Sequence, residues 1–98
     1  MKFVAYHRLA ENEMIESAAF YERRRPFLGE RFLDAIEVTA EWIQKSPDIG
    51  RRGKFRTRSW KVKYFPFRIV YLAQTERIWI VAVAHLSRKP DYWLDRLS

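Results

Sequence analysis

Two runs near the C-terminus decide the fold: Phe65-Pro66-Phe67-Arg68-Ile69-Val70-Tyr71-Leu72 and Ile78-Trp79-Ile80-Val81-Ala82-Val83-Ala84-His85. Both are rich in β-branched and aromatic side chains, which suit a pleated surface better than a helix. Neither alternates cleanly between apolar and polar, so each is expected to be a central strand, Phe67 to Leu72 and Ile78 to Ala84, covered on both faces. The stretch from Ala73 to Arg77 is short enough for a hairpin. Just upstream, Trp60, Val62 and Tyr64 alternate with Lys61 and Lys63. That period of two predicts a third strand with one buried face and one wet face, ended by Phe65-Pro66.

Toward the N-terminus the period changes to that of a helix. From about Leu9 to Arg25, Met14, Ile15, Ala18, Ala19 and Tyr21 form an apolar stripe, with Glu11, Glu13, Glu16 and Glu22 assigned to the polar side. Acidic residues early and Arg23-Arg24-Arg25 late complement the helix dipole, and Pro26 stops the helix for want of an amide hydrogen. From about Gly29 to Lys45, Leu28, Phe32, Ala35, Ile36, Thr39, Ala40 and Ile43 recur at spacings of three and four. The short Pro26–Gly29 link makes the pair an antiparallel hairpin. Ser46-Pro47-Asp48-Ile49-Gly50 is turn chemistry, Lys2 to Tyr6 reads as a first strand, and Tyr92-Trp93-Leu94 as a short last helix. The expected order is β-α-α-β-β-β-α, an α+β fold with a helical hairpin on a small, largely antiparallel sheet.

Ninety-eight residues, read as one domain over 1–98, fall within the usual domain range of about 50 to 250. Seven Phe, five Tyr and four Trp supply core, with some left over for an interface. The absence of cysteine excludes disulfides, thiolate metal sites and a cysteine nucleophile. No cofactor and no metal are expected. The N-terminus carries no apolar signal stretch, and the longest apolar run is Ile78 to Ala84. That is far short of the roughly 20 residues a membrane helix needs. The expectation is a cytoplasmic protein with no membrane partner.

Charge is concentrated. Between Ile49 and Thr75 stand Arg51, Arg52, Lys54, Arg56, Arg58, Lys61, Lys63 and Arg68, with no Asp or Glu; against a whole-chain net of +7, the remainder sums to −1. A block of one sign repels itself and attracts nucleic acid or an acidic protein. Lys61 and Lys63, sharing a strand face inside this block, are the leading candidates for target contact, with Arg56, Arg58 and Arg68 beside them. Arg68, flanked by apolar residues on an inner strand, must find a partner or face a cleft.

Three linked pieces carry a resemblance: Phe65-Pro66-Phe67-Arg68-Ile69-Val70-Tyr71, the run Ile78 to His85, and Arg88-Lys89-Pro90-Asp91-Tyr92-Trp93 with Arg96. Together with Ala19-Phe20-Tyr21, Leu28-Gly29 and Phe32-Leu33, they resemble the ParE branch of the RelE/ParE toxins over nearly the whole chain. The resemblance implies a growth-arresting toxin held by a cognate antitoxin, in a hetero-oligomer with it. ParE-like members poison DNA gyrase without catalysis of their own, which is the favoured reading. RelE-like members cleave mRNA on the ribosome, and that is the alternative.

Cleavage by the 2′-hydroxyl needs a base, cations for the phosphorane and a proton donor. For that reading the candidates are Lys61, Lys63, Arg68, His85, Arg88 and Tyr92. His85, at the end of an apolar strand, and Tyr92, after Pro90, each also have an ordinary structural reading. A third possibility is a basic nucleic-acid-binding protein without toxicity, although no helix-turn-helix or zinc finger is present.

Overall fold

The computed structural model describes residues 1–98. Strand β1 (Phe3–Tyr6) leads into helix α1 (Arg8–Arg24) and helix α2 (Leu28–Lys45). Strands β2 (Arg51–Arg52), β3 (Arg58–Lys61), β4 (Phe67–Ala73) and β5 (Arg77–His85) follow. Short 3-10 turns span Lys54–Arg56 and Leu94–Leu97. The five strands form one sheet in the order β1-β5-β4-β3-β2. Only the β1–β5 pairing is parallel. The architecture is therefore the expected α+β arrangement, a helical hairpin on a largely antiparallel sheet.

Helix α2 packs as its stripe dictates; on α1, Ala18 is buried and Met14 and Tyr21 pack half-buried, but Ile15 and Ala19 of the expected stripe face outward and are exposed. Phe32, Ile36, Thr39, Ala40 and Ile43 of α2 are buried. Phe32 stacks edge-on against Phe65 and Phe67, with ring centroids 5.2 and 4.9 Å away. Gly29 lets the hairpin close, because a Cβ there would overlap the Ala18 carbonyl oxygen. The start of α2 has no side-chain cap of its own. Instead Glu22 of α1 accepts from the amides of Phe27 (2.9 Å) and Gly29 (3.0 Å), placing an anion at the positive end of the second helix.

Strand β5 is covered on both faces, whereas β4 is covered on one face and only in part on the other. The helices cover one through Ile69, Tyr71, Ile78, Ile80 and Val83. On the other, Val70, Val81, Ala82 and Ala84 pack against Trp93 of the C-terminal segment. The β4–β5 register shifts between Val70 and Tyr71, which pair with Ala82 and Ile80 and leave Val81 unmatched. This bulge turns Val81 to the C-terminal side of the sheet.

Four expectations need correction. A two-residue strand, Arg51–Arg52, pairs with β3; it is too short for any period to mark it. The third strand ends at Lys61 rather than continuing to Tyr64. Val62 donates to the Phe67 carbonyl (2.9 Å), and Tyr64 adopts a left-handed conformation (φ 71°). Pro66, lacking an amide hydrogen, cannot continue a ladder there. Lys63 and Tyr64 thus sit in a turn, and Tyr64 is exposed instead of buried. Finally, the C-terminus is not an α-helix. Successive bonds Tyr92→Lys89, Leu94→Asp91 and Arg96→Trp93 span three residues each, so the chain descends in tight turns.

Candidate functional site

The face of the sheet away from the helices holds a cleft of about 530 Å³. Its floor is the back of β3 and β4, one wall is β2, and the other is the segment after β5. Alternation places Arg58 and Trp60 toward the helices, opposite Tyr71 and Ile69, and so turns Ser59 and the Lys61 position to the back, although the Lys61 side chain, at the strand's end, lines the α2-side groove and not this cleft. Arg51 pairs with Ser59, and Arg68 pairs with Lys61, so both arginines belong to that back face. Arg88 and Lys89 reach the cleft from the far wall.

Few of these cations are neutralised. Arg68 donates only to Ser59 Oγ, at 3.4 Å. Arg51, Arg52, Arg68 and Lys89 lie in no ion pair. The one carboxylate lining the cleft, Asp91, is taken by Lys54 at 3.1 Å. Arg68 therefore faces a cleft, one of the two outcomes its position on an inner strand demands.

The other candidate residues separate into different roles. Arg58 is a fastener: it donates to the carbonyls of Asp48 (3.2 Å) and Gly50 (2.9 Å) and lies 3.7 Å from the Asp48 carboxylate. Tyr71 reinforces the same turn, donating to the Pro47 carbonyl (2.8 Å) and accepting from Gly50 (3.0 Å). Arg56 stands at an exposed tip with Phe55, both in left-handed backbone (φ 67° and 54°). Lys61 closes β3, whereas Lys63 lies off the sheet, 5.3 Å above the Tyr64 ring. The two lysines do not share a strand face.

His85 packs edge-on against Phe67 and accepts through Nδ1 from the Ser87 amide (3.0 Å). Tyr92 donates to Glu13 Oε2 at 2.7 Å. Burial, then this hydrogen bond, push the Tyr92 phenol above its ordinary pKa. Arg88 stacks over the Tyr92 ring (3.8 Å) and reaches 3.9 Å from Glu13.

Glu13 itself was misassigned to the polar side of α1. It lies three residues after the fully buried Ala10 and turns toward the end of β5 that β1 leaves unpaired. Its Oε1 accepts from the Val83 amide (3.0 Å) and Arg96 Nη1 (2.9 Å), and its Oε2 from Arg96 Nη2 (2.8 Å) as well as Tyr92. Arg96 also donates to the carbonyl of the bulged Val81 (3.0 Å). The hydrogen bond to Glu13 holds Arg96 above its usual pKa, against burial. β1 pairs with β5 only as far as Ile80, so Glu13 and Arg96 satisfy backbone groups that would otherwise be left without partners. The arrangement is a buried anchor that holds the C-terminal segment and hence the far wall of the cleft. Arg51, Arg52, Lys89, Glu13 and Arg96 were not among the candidates.

Sequence comparison bears on the same elements. Residues 4–90 match the family profile of the ParE toxin of the type II toxin–antitoxin system parDE. The chain belongs to the ParE toxin family. Among solved structures, this ParE-family chain is similar to one from the chromosomal ParDE toxin–antitoxin system of P. aeruginosa. The TM-score is 0.63 at 16% identity, covering 87% of this chain and 96% of the other. At that identity the likeness establishes a shared fold. No curated protein sequence matches significantly. No helix is long and apolar enough to cross a membrane.

Proposed function

We propose that this chain is the toxin of a ParDE-type pair, that a cognate antitoxin neutralises it in the cytoplasm, and that its target is DNA gyrase. The observation that carries the reading is the family match across residues 4–90, on a fold shared with a ParDE structure. The chemistry of the cleft supports a target-binding toxin over a ribosome-dependent nuclease. A nuclease needs a proton donor free to reach the leaving oxygen. The Tyr92 hydroxyl is instead bound to Glu13, and its pKa is raised.

A second surface supports the antitoxin part. Val38, Trp42 and Trp60 border a largely apolar groove between α2 and the β3 edge, with Tyr64 beside them. All four side chains are exposed. Arg31, Lys61 and Lys63 stand at its rim. An amphipathic antitoxin segment with acidic flanks matches both features, since exposed apolar patches ringed by charge mark protein interfaces.

Expression of this chain alone is expected to arrest growth and relax a reporter plasmid, and an acidic antitoxin encoded beside it should restore both. Normal growth at high expression would overturn the toxin reading. Growth arrest with plasmid supercoiling intact would overturn gyrase as the target.

A further inference from the structure

Three exposed aromatic residues stand on left-handed backbone: Phe27 (φ 70°), Phe55 (φ 54°) and Tyr64 (φ 71°). Two have a local reason. Phe27 makes the turn into α2, where Glu22 accepts from its amide, and Tyr64 borders the apolar groove. Phe55 has neither reason. It lines neither that groove nor the basic cleft, and it is 72% exposed.

We propose that Phe55, at the tip of the β2–β3 hairpin, is an aromatic anchor that the toxin inserts into an apolar, carboxylate-rimmed pocket of its protein target. This role rests on the toxin reading and deepens it by naming a target contact outside the basic cleft.

Three observations carry it. First, the exposure is built in. Phe55 and Arg56 are consecutive residues in left-handed backbone (φ 54° and 67°), a conformation that disfavours every side chain with a Cβ. The flanks enforce it. The Gly53 amide donates to the Thr57 carbonyl (2.8 Å), and the amide and hydroxyl of buried Thr57 both donate to the Lys54 carbonyl (3.0 and 2.6 Å). A Cβ on Gly53 would meet Thr57 Oγ1 at 2.8 Å, so only glycine closes this brace. Lys54 is tied in turn to Asp91 of the C-terminal segment, at 3.1 Å. Strain over-determined by its surroundings in this way clusters at sites of contact.

Second, a ring already fixed in place loses little freedom on binding. A single aromatic that fills a pocket inside a charged surround is also the common form of an interface hot spot. Third, the charge of the tip has one sign. Arg51, Arg52, Lys54 and Arg56 flank Phe55 in the hairpin, and only Lys54 lies in an ion pair. Carboxylates around the partner's pocket complement that pattern.

Nucleic acid is the competing partner. Strands are held by several rings that stack successive bases along a groove. Residues 51–59 contain one aromatic, and it stands at a tip outside the cleft. A lone knob fits a pocket.

The test titrates growth arrest against expression level for wild type and variants. Melting, affinity for the antitoxin encoded beside the chain, and anisotropy with labelled oligothymidylate are measured on the purified full chains. Phe55→Ala should need roughly tenfold more protein, or above, to arrest growth, as expected for loss of a hot-spot side chain. It should melt as the parent does, bind the antitoxin equally tightly and leave oligothymidylate binding unchanged. Arg56→Glu should also weaken arrest, by repelling the carboxylate rim. If Phe55→Ala fails to melt cooperatively, Phe55→Gly, which accepts left-handed backbone freely, decides in its place.

Arrest by wild type and by folded Phe55→Ala at equal expression overturns the anchor alone. Normal growth with wild type overturns the toxin reading and the anchor with it. Antitoxin affinity that falls as far as toxicity would put Phe55 in the antitoxin interface instead. Weaker oligothymidylate binding by Phe55→Ala would make the ring a base-stacking platform, and arrest unaffected by Arg56→Glu would contradict the acidic rim. Each of these three results overturns the proposal.

Discussion

The two faces of the sheet are built on different principles. The face under the helices is dry and aromatic. Phe65 and Phe67 meet Phe32 edge to face, Tyr21 joins them, and the largest buried cluster holds thirteen residues. The opposite face has a cluster of five, held down by one ion pair between Glu13 and Arg96, and beside it an open basic cleft. Packing on the first face supplies the stability that lets the second carry unpaired charge. Basic residues that repel one another could not hold a sheet together by themselves. On this account stability and binding are separable, and substitutions on the two faces should differ in what they change.

The largest effect belongs to the helix face. Phe32→Ala should cost about 3–5 kcal/mol, the usual range for a buried aromatic truncated in a close-packed core, and thermal melting would measure it. A loss under about 1 kcal/mol would mean that the aromatic cluster is not the core the contacts describe. Next comes the anchor on the other face. Glu13→Ala leaves Arg96 largely buried without its anion and removes the acceptor of the Val83 amide. A loss of about 3 kcal/mol is expected, with faster proteolysis after Leu86. If melting and cleavage are both unchanged, the C-terminal segment is held by Trp93 alone.

Tyr92→Phe should be smaller, about 1 kcal/mol, because one hydrogen bond is lost and the ring is kept. Its effect also depends on pH. The folded-state pKa is raised, so the protonated phenol's contribution is fully present below the ordinary phenol pKa of about 10 and is lost as pH rises through the higher folded value. Alkaline titration of stability should therefore be less steep in Tyr92→Phe than in the parent above pH of about 10. Identical slopes would show that Tyr92 does not titrate with folding. Smallest in stability is the Lys61→Ala, Lys63→Ala pair, which should move the melting free energy by no more than about 0.5 kcal/mol. The same pair should abolish or sharply reduce growth arrest. Full toxicity would mark these lysines as solvated surface.

The asymmetry also explains what could be read in the sequence. Elements long enough to show a period were legible: the α1 and α2 stripes, the two apolar strands and the hairpin between them. Arg51–Arg52 is two residues long and has no period. The turn from Val62 to Pro66 interrupts the alternation after Lys61, and Trp60, expected on the buried face, points to the helix side but stays exposed. The cleft was half-legible. Arg68 could be singled out because a charge between apolar neighbours needs an explanation. Arg51 and Lys89 could not, since their proximity depends on β2 pairing and on the path of the chain after His85. Glu13 had one usable signal, its spacing of three from Ala10 on the apolar stripe. A glutamate there has to find donors, and Arg96 is 83 residues away.

Target identity is tested most directly with the purified chain and purified gyrase. Wild-type protein should block ATP-dependent supercoiling of relaxed plasmid and leave mRNA on programmed ribosomes intact. Unimpaired supercoiling together with codon-dependent cutting of that mRNA would rule out gyrase as the target.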